Sequence, residues 1–129
     1  FEGTHNFKQT GGNSFKLSLY TNSAVLGKST TSFTTDAQVS NSGQYTSGGG
    51  ALVNGGTSLS TNTAIVDFAD RSFTGVTLTA RGALIYNDTA SGDPAVCVLD
   101  FGGDKTATSG TFTIQFPAFT ASAAILRVT

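Results

Sequence analysis

The sequence predicts an all-β fold, an antiparallel β-sandwich or jelly-roll-like domain of about seven to nine short strands with little or no helix. Three observations carry this reading. Charged residues make up only 12% of the 129, about half the usual quarter, and Ser, Thr, Asn and Gly stand in their place beside 10 Phe and 16 Gly. Thr and Phe suit a pleated, half-buried surface, whereas Gly and Asn suit turns. Several runs alternate apolar and polar residues with a period of two, and turn clusters separate them at intervals of roughly 10 residues.

Residues 1–14 are polar, rich in Gly and Asn and without a period, so they read as an N-terminal arm or irregular lead-in. Residues 15–129 read as one domain, a size that buries a core without metals or disulfides. Phe15, Leu17 and Leu19 alternate with Lys16, Ser18 and Tyr20, a half-buried strand. Residues 22–61 are the least legible stretch. Apolar residues recur there among Ser, Thr and Gly, so short strands joined by turns are expected, with turns at Gly48-Gly49-Gly50 and Asn54-Gly55-Gly56.

The second half is clearer. Residues 63–69 form a strand that ends at Asp70-Arg71, where a turn with a local ion pair is expected. Residues 73–87 alternate over a long distance, with Val76, Leu78, Ala80, Leu84 and Tyr86 on one face and Thr77, Thr79 and Arg81 on the other. Gly82 marks a bulge or bend, because the segment beyond it is apolar on both faces. Asp88 to Pro94 is a turn, and residues 95–101 form a two-sided apolar strand that belongs in the centre of a sheet. Gly102-Gly103-Asp104 is a further turn. Phe112, Ile114 and Phe116 then alternate up to Pro117, and Ala124 to Val128 closes the chain as a last strand.

Net charge is -1, and the seven Lys and Arg are spread along the chain, so no nucleic-acid or anionic-membrane footprint is present. No apolar run approaches the roughly 20 residues of a membrane-spanning helix. Cys97 is the only cysteine, which excludes an intrachain disulfide; a buried, inert thiol is expected. The chain opens on Phe1 rather than Met, which leaves N-terminal processing open.

Catalysis has little to stand on. His5, the only histidine, lies in the polar lead-in with no nucleophile elbow in sight, and a solvated arm residue is expected. Asp67 and Asp70 are three apart, so they diverge on a continuous strand and do not form a glycosidase-type pair. Asp88, Asp93, Asp100 and Asp104 surround two turns and are the only calcium candidates, but without an EF-hand-like spacing turn formation is the simpler role. Asn87-Asp88-Thr89 spells the glycosylation triplet, which arises easily by chance in a Thr-rich chain. For sugar stacking Trp is missing, which leaves Tyr20, Tyr45 and Tyr86. The chain is therefore expected not to be an enzyme, with no cofactor and no metal. A surface poor in long charged side chains instead suits packing against neighbours.

A pattern spans most of the chain after residue 14. It runs through Phe15–Thr21, Val66-Asp67-Phe68-Ala69-Asp70, Thr79–Asn87, Ala95–Gly102, Phe112–Pro117 and Ala124–Val128. In this order and spacing the sequence resembles small β-rich virion structural proteins of tailed phages. The resemblance implies a structural role in the phage particle, as a capsid decoration or cement protein on the outer capsid surface. Its partners would be the major capsid protein and copies of itself, as a trimer. Tail proteins, the head–tail junction or a fibre are the alternative location, and a carbohydrate- or receptor-binding module is the alternative class. The expected partner contacts are Phe1 and Phe7 of the arm and the loop around Tyr45.

Overall fold

The computed structural model describes residues 3–129 and is all-β, with two antiparallel sheets and no helix among the described residues. The seven strands are β1 (Phe15–Tyr20), β2 (Gly50–Ala51), β3 (Asn54–Ser60), β4 (Thr63–Phe68), β5 (Arg71–Asn87), β6 (Ala95–Ile114) and β7 (Leu126–Val128). The large sheet has the order β2-β1-β5-β6 and the small sheet β3-β4-β7, a sandwich-like arrangement. Phe1 lies outside the described residues.

The main core forms on one face of the large sheet, from Phe15, Leu17 and Leu19 of β1, Phe73, Val76, Leu78 and Ala80 of β5, and Phe112 and Ile114 of β6. Phe68 and Phe116 close it from the side of the small sheet, their rings 6.1 Å apart. The opposite face of the large sheet is covered over one end only. There Tyr20, Leu84 and Tyr86 pack beneath Ala24, Leu26 and Phe33 of the 21–49 segment. The Phe33 ring stacks on Tyr86 at 4.6 Å.

β5 corrects the expected face assignment. Its core-facing residues are Phe73, Val76, Leu78 and Ala80, then Ala83 and Ile85, so the parity shifts at two places. Both shifts coincide with register breaks in the β5–β6 ladder. Across the second break Ala80 pairs with Lys105 but Gly82 pairs with Asp100, so Phe101 to Asp104 bulge out opposite Arg81. The extra residues therefore lie on β6, not on β5. Beyond the bulge Leu84 and Tyr86 face the second cluster, opposite to Val76. Gly82 is needed because a Cβ there would sit 2.5 Å from the Leu99 carbonyl oxygen.

Other expectations are corrected too. Gly102-Gly103-Asp104 does not separate two strands, because ladder pairing to the same β5 resumes beyond it and makes one 20-residue strand. Residues 95–101 are only half-buried for most of their length, because β6 is an edge strand while β1 and β5 are central. Asn54-Gly55-Gly56 opens β3 rather than making a turn, with Gly56 N–H donating to Asn54 Oδ1 in the bulge. Between residues 22 and 49 only isolated bridges form, such as Tyr20↔Gln38 and Ser32↔Pro94. The segment is instead fixed by scattered backbone bonds, such as Phe33 N–H to the Asp93 carbonyl and Val39 N–H to the Leu19 carbonyl, and by side chains. Asp70 accepts the Phe116 amide at 2.7 Å instead of pairing with Arg71, whose guanidinium lies over the Phe73 ring at 4.9 Å.

Candidate functional site

Side chains at paired positions of antiparallel strands share a face. In the small sheet Leu59 pairs with Ala64 and Ala64 with Val128, which makes one row across all three strands. Thr57, Val66 and Leu126 make the next row on the same face. Ile65 and Asp67, the intervening residues of β4, point the other way and are buried. This face carries Leu, Ala, Val, Leu, Val and one Thr, and no charge; it is exposed at Thr57, Leu59, Ala64 and Val128, half-buried at Val66 and Leu126, and runs into the core at Phe68. Leu59 is 71% exposed and Val128 51%. Both strands that frame this face, β3 and β7, are sheet edges.

The large sheet supplies a second open feature, the outer edge of β6. Edge strands present unpaired N–H and C=O groups. The edge of β1 beyond the two residues of β2 is closed by the 21–49 segment. Leu19 N–H donates to Tyr45 Oη at 2.8 Å, and Val39 N–H donates to the Leu19 carbonyl. Among the described residues the edge of β6 is capped only at its start, where Ala95 N–H donates to the Thr31 carbonyl. Beside it runs a groove of about 460 Å³ between β6 and the loop that carries Leu26 and Lys28. Cys97 lines this groove, its thiol pushed up to about 11 by burial, so it is protonated at neutral pH.

The expected contact residues take different places. Phe7 is half-buried, its ring stacked on Phe15 at 4.8 Å, so the lead-in packs against the domain. Tyr45 is a core residue with no exposed surface, which corrects its assignment as a partner contact. Its hydroxyl must satisfy the β1 edge, and burial raises its pKa. Tyr20 and Tyr86 are equally buried, and their hydroxyls donate to the carbonyls of Thr34 and Gly48. None of the three tyrosines is available as a sugar platform.

His5 is not a solvated arm residue. It lies in the interface of the lead-in with the domain, where burial lowers its pKa. Three of the four aspartates around the two turns are engaged separately: Asp88 pairs with Lys16 at 2.9 Å, Asp104 with Arg81 at 2.8 Å, and Asp100 accepts the Gly102 amide. Among the described residues no group of three His, Cys, Asp or Glu is placed to hold a metal ion. Asn87 of the glycosylation triplet is fully buried, with its amide bonded within the protein.

Sequence reasoning missed the outer face of the small sheet. A signal existed in the alternations Thr57-x-Leu59, Ala64-x-Val66 and Leu126-x-Val128, but nothing local says which side faces water. No protein-family model matches the chain, and no curated protein or solved structure is significantly similar to it.

Proposed function

We propose that this chain is a structural subunit of a tailed-phage particle, a capsid-decorating protein that stabilises contacts between capsomers. The observation that supports an assembly role is the uncharged apolar face with Leu59, Ala64 and Val128 exposed and Val66 and Leu126 half-buried, on a sheet whose outer strands are both edges. Contiguous exposed apolar surface on a soluble domain marks an interaction site. Covering a large aliphatic side chain contributes about 1.5–3 kcal/mol relative to leaving it in water. Two such residues therefore account for a large part of a micromolar contact, and many copies on one lattice multiply it.

The capsid as the partner rests on the resemblance of the strand pattern to small virion proteins. The mechanism is passive. Apolar contacts, joined by hydrogen bonds from an open strand edge, raise the free energy needed to separate neighbouring capsomers. The partners are the major capsid protein and copies of this chain. A tail location uses the same surfaces on a different lattice.

The test is copy number by location. Purified particles are disrupted, heads are separated from tails, and this chain is quantified against the major capsid protein. A simple fraction of the capsid protein in the head fraction supports decoration. A few copies with the tails move the role there, and absence from both rejects the virion reading.

A further inference from the structure

The lead-in is held to the domain by the Phe7–Phe15 stack, by Asn54 Nδ2 donating to the Phe7 carbonyl, by bonds of Ser14 to Asp88 and Thr89, and by one buried amide. Asn87, at the end of β5, is fully buried, and its Oδ1 accepts the amides of Thr89 at 3.0 Å and Ala90 at 3.2 Å. Those two bonds fix the side-chain orientation, so Nδ2 must face the lead-in. Three acceptors of the lead-in meet it there: the Thr4 carbonyl at 3.1 Å, Asn13 Oδ1 at 3.0 Å and His5 Nδ1 at 3.2 Å. An NH2 group only donates and has two hydrogens for these three acceptors, so its contact with His5 uses the lone pair of a neutral Nδ1.

We propose that residues 3–14 are a pH-sensitive latch, closed in part by the Asn87–His5 contact and loosened when His5 takes up a proton. Protonation turns Nδ1 into a donor aimed at a donor, inside a half-buried interface. The loss falls on one side of the equilibrium only, because a released His5 is solvated in either form.

The surroundings of the ring set the direction. Phe7 of its own segment and Phe15 of β1 flank it at 5.7 and 6.3 Å, apolar neighbours that disfavour a charge. Burial is the largest influence and lowers the pKa. The Ala95 carbonyl of β6 favours the proton. Asp88, next to Asn87, is held by Lys16 at 2.9 Å.

A base whose pKa is lowered in the docked state stabilises docking fully above its free value of about 6.5. That contribution is lost as pH falls from 6.5 to the docked value, and below it the loss levels off. Loosening the latch lifts Phe7 from Phe15, which is otherwise buried to 1% exposure, and so uncovers an aromatic patch beside β1.

Hydrogen exchange and histidine titration by NMR test this on the intact chain. Protection at Ser14, whose amide donates to Thr89 Oγ1, and at Asp88, whose amide donates to the Ser14 carbonyl, reports the latch. The Leu19 amide, bonded to Tyr45 Oη, reports the core. Between about pH 8 and about pH 5 the latch amides are expected to lose protection while Leu19 keeps its own, and His5 should titrate below 6.5. His5→Gln offers Asn87 an acceptor that does not titrate, so its latch should stay closed at both ends of the range. A His5 midpoint at or above 6.5, or an equal loss of latch protection in His5→Gln, overturns the proposal.

Discussion

The two sheets meet water in different ways. The large sheet is covered by the core on one face and by the 21–49 segment over one end of the other. Where its outer face stays open, on the far part of β5 and β6, hydroxyls line it. Ser72 bonds Thr113 at 2.8 Å, Thr79 bonds Thr106 at 2.8 Å, and Thr77 Oγ1 accepts the Ser109 amide. These polar rows are satisfied by one another and by water. The small sheet offers Leu59, Ala64 and Val128 at the equivalent outward positions, which neither can satisfy. One open face satisfies its polar groups within the monomer, and the other leaves apolar side chains facing water.

That contrast can be broken from the large-sheet side first. Alkali is expected to act most strongly, because all three tyrosines pack with the large sheet and burial raises the pKa of each. Raised phenol values mean that the stability is intact below about pH 10 and is lost as pH climbs toward the folded-state values. Phenolate absorbance should therefore rise together with the loss of β circular dichroism. Separate, earlier ionisation would contradict it. Leu17→Ala, at a fully buried position of β1, should cost about 2–5 kcal/mol in urea unfolding.

Tyr45→Phe keeps the ring but orphans the Leu19 amide on the β1 edge, and should cost about 1–3 kcal/mol. A cost near zero would mean that the hydroxyl is not what closes this edge. On the small sheet the expected change in folding is the smallest. Leu59→Ser with Val128→Ser should alter monomer stability by less than about 1 kcal/mol. The same pair should weaken attachment to the partner lattice by roughly 100-fold, from about 3 kcal/mol of lost apolar contact. Normal attachment of this variant would move the interface elsewhere, with the β6 edge next in line.

Much of the fold was legible where apolar residues alternate without interruption. β1, β4 and the run Phe112-x-Ile114-x-Phe116 follow the pattern of their residues, because period-two alternation is the geometry of a strand itself. Gly82 was legible as an irregularity, yet the bulge belongs to the partner strand, since a register break is a property of two strands and only one carries the glycine. The Gly102-Gly103 pair looked like a chain reversal for the same reason. Tyr45 was misplaced because its role is to satisfy an amide 26 residues away, Leu19, and no local pattern reports such a contact. His5 was likewise read as solvated, although its partner Asn87 lies 82 residues on.

The sequence by itself determined the class of this protein, because strand propensity, alternation and turn chemistry are local and each is written in neighbouring residues. It determined which side chains are paired by alternation on one face of a strand, up to the next bulge. Only the tertiary structure decided which strands are central, which edges stay open and which face of the small sheet looks outward. Those follow from pairings between distant segments, and an apolar row such as Leu59, Ala64 and Val128 reads the same in sequence whether it is buried within the fold or left for a partner.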